Sequence, residues 1–197
     1  RSFNGGFPVN HVLPFDIGSD IFVARISKDG SQLLGSTFIG GSSNDGLNTN
    51  FGALTKNYGD QLRGDIITDD EGKVYVSSVT QSPDFPTLNS FNTTYKGGET
   101  DAIVFKLNKQ LSQLEWSAFL GGNGTDASHT IKLTSNNDIY VGGGTTSTNF
   151  PVTTGSYQTV LKGDADGWIA KIGSAGDTLY YGTYTGTSSF DQIYFLD

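Results

Sequence analysis

Cysteine is absent from the 197 residues, which excludes disulfides, iron–sulfur clusters and cysteine-based zinc sites. Methionine is absent too, and the sequence opens on Arg1, so we expect a processed piece or excerpt of a longer chain. No apolar run approaches the roughly 20 residues that a membrane-spanning helix needs, so membrane insertion is not expected. The two histidines, His11 and His129, are too few for a typical multi-histidine metal site.

Basic side chains are also scarce, with 12 lysines and arginines against 20 acidic residues and a net charge of -8. Such a surface repels phosphate backbones, so nucleic acid is not an expected partner. Glycine is plentiful at 27 residues, and tyrosine and phenylalanine add 9 and 13. This composition favours short strands joined by glycine, asparagine and aspartate turns. The sequence therefore predicts an all-β fold.

One pattern occurs three times along the chain, opening at Asp20, Asp101 and Asp166. Each copy carries an apolar pair, then a basic residue, and then a glycine 20 residues after the aspartate. Constant spacing over three copies indicates an internal repeat. The aligned columns are Phe22, Ile103 and Trp168; Val23, Val104 and Ile169; Arg25, Lys106 and Lys171; and the aromatic positions Phe38, Phe119 and Tyr184.

Other segments recur as well, since KVYVSS and Asp84-Phe85-Pro86 return 65 residues later as DIYVGG and Asn149-Phe150-Pro151. Gly6-Phe7-Pro8 resembles an earlier copy of the second motif. The step from Asp20 to Asp101 is 81 residues, and the surplus of 16 lies between Gly41 and Asp65. We therefore predict one propeller domain, a fragment of a longer chain, with these parts: 1–19, the end of a preceding blade; 20–100, a first repeat with a loop insertion at 42–64; 101–165, a second repeat; and 166–197, a partial third.

Each unit predicts four short strands, in the second copy DAIVFKLN, LEWSAFLGG, HTIKLT and DIYVGG. Four antiparallel strands recurring every 65 or so residues are typical of β-propeller blades. A single blade cannot bury both faces of its sheet, so blades stack. We predict about three such blades within a larger propeller; a β-solenoid or a row of sandwich domains is the alternative. Aromatic residues would fill the layers between the blades: Phe22, Phe38, Phe119, Trp168 and Tyr184.

Together, the motifs D-A-[IF]-V-x-K-L-N, S-x-[TA]-[FY]-[LI]-G-G, [DN]-x-Y-V-x-G and D-F-P-T resemble the bacterial β-propeller repeat called SBBP. The resemblance covers essentially the whole chain. It implies a large exported protein of the kind found in Bacteroidetes, often carrying a type IX secretion signal and associated with gliding motility or adhesion. It implies no shared catalytic motif. The chain departs from the pattern in the insertion of its first copy and in Thr185, which replaces an aliphatic residue.

The recurring aspartates are candidate calcium ligands, because hard cations bind clustered oxygens. Asp164 and Asp166, in the segment GDADG, are the calcium candidates, and no other cofactor is expected. The competing interpretation is that each aspartate begins a strand and accepts hydrogen bonds from nearby backbone amides. That interpretation is favoured because no segment has the D-x-D-x-D-G density of a calcium loop. The basic column either lines an anion site or packs along the sheets and pairs with acids.

No residue set predicts catalysis, and we expect no catalytic residues. Asp126, Ser128 and His129 superficially match a hydrolase triad, but adjacent residues of a strand point to opposite faces. The acids of Asp69-Asp70-Glu71 lie in a hairpin turn, where exposed carboxylates are ordinary. The glycine run 142–144 follows neither a P-loop nor a dinucleotide-binding pattern.

The insertion is the predicted interaction loop, with the contact residues Asn48, Asn50, Phe51, Asn57 and Tyr58. The leading hypothesis is a non-catalytic propeller segment of a secreted, cell-surface bacterial protein. It would act as a scaffold or adhesion surface for protein partners at the outer membrane. One alternative is a carbohydrate-binding module, since aromatic and asparagine side chains together grip sugars. A second alternative is a hydrolase, which requires carboxylates converging in a pocket.

Overall fold

A computed structural model of the protein describes residues 18–49 and 52–197. Within those ranges it contains β-strands, one short 3-10 turn at Asp60–Leu62 and no α-helix, which confirms the all-β prediction. The strands are β1 (Ile21–Ile26), β2 (Leu33–Ile39), β3 (Asp65–Thr68), β4 (Val74–Thr80), β5 (Asp101–Leu107), β6 (Leu114–Leu120), β7 (Asp126–Leu133), β8 (Ile139–Thr145), β9 (Asp166–Ile172) and β10 (Leu179–Thr185).

These strands form three antiparallel sheets in which consecutive strands are neighbours. The first sheet contains β1 and β2, the middle sheet β3 to β6 and the last sheet β7 to β10. The prediction of four-stranded antiparallel sheets is therefore confirmed for the middle and last sheets. The predicted insertion lies between β2 and β3.

The sequence repeat and the sheets are offset by two strands. Asp101 opens β5, the third strand of the middle sheet, and Asp166 opens β9, the third strand of the last. The four strands of one sequence unit, β5 to β8, therefore belong to two different sheets. Because β6 and β7 are joined by the short connection 121–125, each sequence unit ties one sheet covalently to the next.

The middle sheet is buried on both faces. Strands β4 and β5 are buried at all seven positions, and successive side chains of β5 point to opposite sides. Phe105 packs with Val23 and Ile39 of the first sheet, whereas Val104 belongs to the cluster that contains Trp168 of the last sheet. The three sheets are therefore stacked in series, each covering an apolar face of its neighbour.

The aromatic columns fill these layers only in part. Phe119, Trp168 and Tyr184 are fully buried between sheets, as predicted. Phe22 and Phe38 do not lie between two described sheets, so for them the layer stays a prediction; Phe22 keeps 37% of its surface exposed. Their rings lie 4.9 Å apart on the face of the first sheet that is turned away from the middle sheet.

A left-handed residue closes the hairpin turn at the same place in each copy. Gly30, Leu111 and Gly176 have φ of 75°, 61° and 78°, and each donates its N–H to the carbonyl three residues earlier. Gly176 is required because a Cβ there would lie 2.4 Å from the Trp116 ring. Leu111 accepts a strained backbone, at a cost of about 1–2 kcal/mol. Its fully buried side chain offsets that cost by joining the layer between the first two sheets.

Trp168 tests the contribution of the inter-sheet layer to stability. Its ring lies 4.9 Å from that of Phe150, and its indole N–H donates to the Gly144 carbonyl at 3.0 Å. We expect Trp168→Ala to lower the free energy of unfolding by about 3–5 kcal/mol, because it leaves a large cavity. Urea denaturation followed by circular dichroism measures this loss. Tyr157→Ala is the control, since that ring is 79% exposed and its loss should cost about 0.5 kcal/mol or less. Equal losses in both variants would contradict the stacked arrangement.

Candidate functional site on the inner strands

A β-bulge and the insertion occupy the same position on neighbouring strands. In the last sheet Ser128 lies opposite Gly143 and Thr130 opposite Gly142, so His129 is the extra residue of a bulge. In the middle sheet the chain pairs at Asp45, leaves for the insertion, and resumes pairing at Asp65. Since Asp65 corresponds to Thr130 in the 65-residue repeat, the insertion enters where the other copy has its bulge. Both features lie on the first strands of their sheets, β3 and β7, which contact each other.

The C-terminal segment completes this region. The Tyr194 ring stacks on the His129 ring at 5.3 Å with an interplanar angle of 16°. The guanidinium carbon of Arg63 lies 4.3 Å from the centroid of the same tyrosine ring. We use the name inner-strand site for this group of side chains: Asn57, Asp60, Arg63, His129, Gln192 and Tyr194.

Hydrogen bonds fix the tautomer of His129. The side-chain amide of Gln192 donates to the Leu54 carbonyl at 3.4 Å and to the Tyr194 hydroxyl at 3.3 Å, so its oxygen faces the imidazole. His129 Nε2 lies 2.7 Å from that oxygen and therefore carries the hydrogen. Burial lowers the pKa of His129, which keeps the ring neutral at pH 7. Its Nδ1 is a buried acceptor with no hydrogen-bond partner in the described part of the chain.

Asp60 joins the insertion to the C-terminal segment. Its carboxylate is buried and accepts hydrogen bonds from Arg63 Nε at 2.8 Å and from the Asn57 backbone N–H at 2.7 Å. The Tyr194 hydroxyl lies 3.4 Å from the same carboxylate and accepts a bond from the Asn57 side-chain amide at 2.5 Å. Removing one partner of such a buried ion pair is strongly destabilising. The network therefore gives the insertion a defined position.

A cavity of about 310 Å³ opens beside this network. Its walls come from the end of the insertion, from β7 and from the C-terminal segment, with these residues: Arg63, Gly64, Asp65, His129, Thr130, Lys132, Tyr194, Phe195 and Leu196. Lys132 is exposed and forms no ion pair within the described ranges. The cavity therefore combines two cations, the carboxylate of Asp65 and aromatic surface.

The residues of the predicted interaction loop lie in different environments. Tyr58 is fully exposed and Asn57 is exposed. Asn48 is 2% exposed, and its backbone N–H donates to the Gln61 carbonyl, so this residue holds the insertion together. Asn50 and Phe51 lie outside the described residues, as do the Gly6-Phe7-Pro8 motif and His11.

The proposed calcium ligands make protein contacts. Asp166 is buried and accepts hydrogen bonds from the backbone N–H groups of Lys162 and Gly163 and from the Gln158 side chain, while Asp164 is exposed. Residues 18–49 and 52–197 hold no cluster of three or more acidic, histidine or cysteine side chains suited to a metal. The recurring aspartates thus act as acceptors for nearby amides, and calcium binding stays a hypothesis without further support.

A second column of aspartates was not recognised in the alignment of the three repeats. Asp45, Asp126 and Asp191 follow Asp20, Asp101 and Asp166 by 25 residues in every copy, and this constant spacing was the available signal. Each accepts a bond from a backbone N–H four residues earlier, at 2.7, 2.8 and 2.7 Å. These carboxylates close the turns that link one sheet to the next.

The basic column does not converge on one site. Lys106 pairs with Glu115 at 3.5 Å and Lys171 with Asp138 at 3.1 Å, whereas Arg25 donates to the Gly72 carbonyl. This result matches the interpretation in which the column pairs with acids. The two basic residues that line the cavity, Arg63 and Lys132, do not belong to this column.

Other acid and hydroxyl groups likewise lack a shared site. The Ser128 hydroxyl is buried without a hydrogen-bond partner in the described ranges, and His129 Nε2 faces Gln192. Asp69 accepts bonds from the Lys73 backbone and the Tyr75 hydroxyl at 2.8 and 3.1 Å. These residues therefore form neither a hydrogen-bonded triad nor a pair of carboxylates facing a cleft.

Comparisons with known proteins add no family. No protein-family model matches the sequence, and no curated protein is detectably similar to it. Among the described residues, no helix combines the length and hydrophobicity that crossing a membrane demands. The functional proposals therefore rest on the geometry of the described residues.

The buried Asp101 predicts how stability depends on pH. Burial raises its pKa to about 8, and the neighbouring Asp126 contributes by repulsion. The folded chain therefore binds a proton that the unfolded chain has released, so this contribution to stability falls as the pH rises from about 4 to about 8. We expect Asp101→Asn to flatten the decline in unfolding midpoint between pH 5 and 8. Urea titrations at four pH values measure this, with the exposed Asp177→Asn as the control. An unchanged slope in Asp101→Asn would contradict the assignment.

Proposed function

We propose that the chain is part of a β-propeller that serves as a non-catalytic interaction scaffold in a secreted or cell-surface bacterial protein. The observation that carries the proposal is the order of the first strands. β3 contacts β7, and His129 of β7 stacks on Tyr194 of the C-terminal segment, which corresponds to it in the 65-residue repeat. First strands that adjoin in sequence order along one side of stacked sheets are what blades around an axis would produce.

The pairing of β1 within the described ranges agrees with additional blade strands. Its counterparts β5 and β9 each pair with a strand on both sides, whereas β1 pairs only with β2 in the described ranges. Two cavities of about 220 and 490 Å³ run along β1 toward β3, lined by apolar residues that include Ile21, Val23 and Ile66. A strand with one partner in the described ranges, beside an apolar groove, suits further strands of the same repeat.

Strand complementation tests the propeller. A synthetic peptide with the sequence of residues 126–145, the hairpin of β7 and β8, supplies the two strands that pair before β9. We expect it to raise the melting temperature of the chain and to slow amide hydrogen exchange in β1, because new backbone hydrogen bonds form along that strand. A scrambled peptide is the control. If β1 exchanges at the same rate with both peptides, the groove is not a blade position.

The interaction role is supported by the way the insertion is held. Asp60 and Asn57 anchor it to the C-terminal segment, and Tyr58 next to them is 102% exposed. A rigid scaffold that presents an aromatic residue on a loop is suited to binding a partner. Secretion, adhesion and a Bacteroidetes origin rest on the resemblance to the SBBP repeat.

Capture from bacterial outer-membrane extracts tests the interaction role. We expect the immobilised chain to retain a specific partner and Tyr58→Ala to retain about tenfold less, because exposed aromatic anchors dominate interface energies. Tyr157→Ala is the matched control, because that ring is 79% exposed in the connection between β8 and β9. Retention by Tyr58→Ala that equals retention by the control would exclude the insertion as the contact surface.

The second candidate is carbohydrate binding, which the cavity favours. Phe195 is 85% exposed at its rim, and Tyr58 is next in sequence to Asn57 of the inner-strand site. Aromatic surface beside hydrogen-bonding side chains is an arrangement that suits sugar rings.

A further inference from the structure

We propose that the cavity of the inner-strand site binds a small hydroxylated carboxylate of the uronic acid class. The inference specifies the ligand of the second candidate function and rests on it. The volume of about 310 Å³ is at the lower end of the range of roughly 300–1,000 Å³ for small-molecule sites. Its walls come from three separate parts of the sequence, so the cavity exists only in the folded chain.

Arg63 is pre-organised to meet a carboxylate. Its Nε is held by Asp60 at 2.8 Å, and its guanidinium carbon lies 4.3 Å from the Tyr194 ring centroid. Its two terminal amino groups make no hydrogen bond to the described part of the chain, although the residue lines the cavity. A planar guanidinium held in this way binds carboxylates at two points with little loss of side-chain freedom.

Two cations and two carboxylates surround the cavity, namely Arg63 and Lys132 with Asp60 and Asp65. Asp60 offsets Arg63, while Lys132 has no ion-pair partner in the described ranges. The carboxylate of Asp65 accepts bonds from the Ile131 and Ile66 backbone N–H groups at 3.0 and 2.9 Å, so backbone dipoles stabilise its charge. The four charges therefore balance, and Lys132 is the cation without an ion-pair partner in the described ranges. A monocarboxylate adds less uncompensated charge to this balanced site than a phosphate dianion does.

The remaining lining suits the rest of a sugar ring. Thr130 provides a hydroxyl beside the cations, and Phe195, 85% exposed, offers an aromatic face at the rim. Apolar surface combined with a few oriented polar groups is the usual composition of small-molecule sites. A sugar acid presents both kinds of surface, since its carboxylate and hydroxyl groups lie around a ring with apolar C–H faces.

Titration by nuclear magnetic resonance tests the proposal. The intact chain, labelled with nitrogen-15, is titrated with sodium D-glucuronate and, separately, with the uncharged methyl β-D-glucoside. The variants are Lys132→Gln, which removes a cation from the cavity wall, and Lys109→Gln, which removes an exposed lysine from the turn between β5 and β6. Neither lysine forms an ion pair in the described ranges, so both variants should fold like the parent chain.

We expect glucuronate to cause saturable shifts at Arg63, at residues 130–132 and at Phe195, with about tenfold weaker binding in Lys132→Gln, in about 0.5 M salt and for the glucoside. Lys109→Gln should bind like the parent. No saturable shift at millimolar glucuronate, shifts away from the cavity, or equal affinity in both lysine variants would overturn the proposal. Equal binding of the glucoside would also overturn it, because carboxylate recognition would then be absent. The β1 groove and this cavity share Arg63, Gly64 and Asp65. Strand complementation is read at β1 and the titration at residues 130–132 and Phe195, which do not line that groove, so the two proposals can fail separately.

Discussion

A four-stranded sheet with apolar residues on both faces is stable only when another layer covers each face. The central strands β4 and β5 of the middle sheet meet this requirement, since Phe105 lies in one inter-sheet layer and its neighbour Val104 in the other. Both layers are built from aromatic and branched side chains, so each sheet depends on its neighbours for most of its stability. The offset between sequence unit and sheet strengthens this dependence, because each unit supplies strands to two successive sheets.

The polar chemistry follows from the same stacking. Backbone N–H groups in the connections have no strand partner, and the two columns of aspartates bind them. Asp45 and Asp126 accept hydrogen bonds in connections between sheets, whereas Asp101 and Asp166 accept them in connections between strands of one sheet. This explains why buried acids recur without metal clusters around them. Burial disfavours the charged form of these acids. At Asp101 the pKa rises to about 8, because burial outweighs its single backbone hydrogen bond.

The inner-strand site arises where the repeat is least regular. One copy carries a bulge at His129 and the other carries the insertion at the equivalent place, so two departures from the strand pattern face each other. Without the bulge and the insertion, β3 and β7 would meet at this position as regularly paired strands. The irregularities instead bring together a guanidinium, an imidazole and a phenol from parts of the chain that are far apart in sequence. We place the proposed ligand-binding function at this site because it departs from the regular strand pattern of the repeat.

The sequence by itself determined the local structure. Alternating apolar residues, the 65-residue spacing and the hairpin turns predict the strands and the place of the insertion, because these signals depend on neighbours along the chain. Only the tertiary structure decided which strands share a sheet, that Phe22 and Phe38 face away from the middle sheet, and that Asn48 is buried. It also decided that Arg63, His129 and Tyr194 meet. That contact joins residues about 65 positions apart in sequence, and their proximity depends on how the sheets stack rather than on any pattern within one strand.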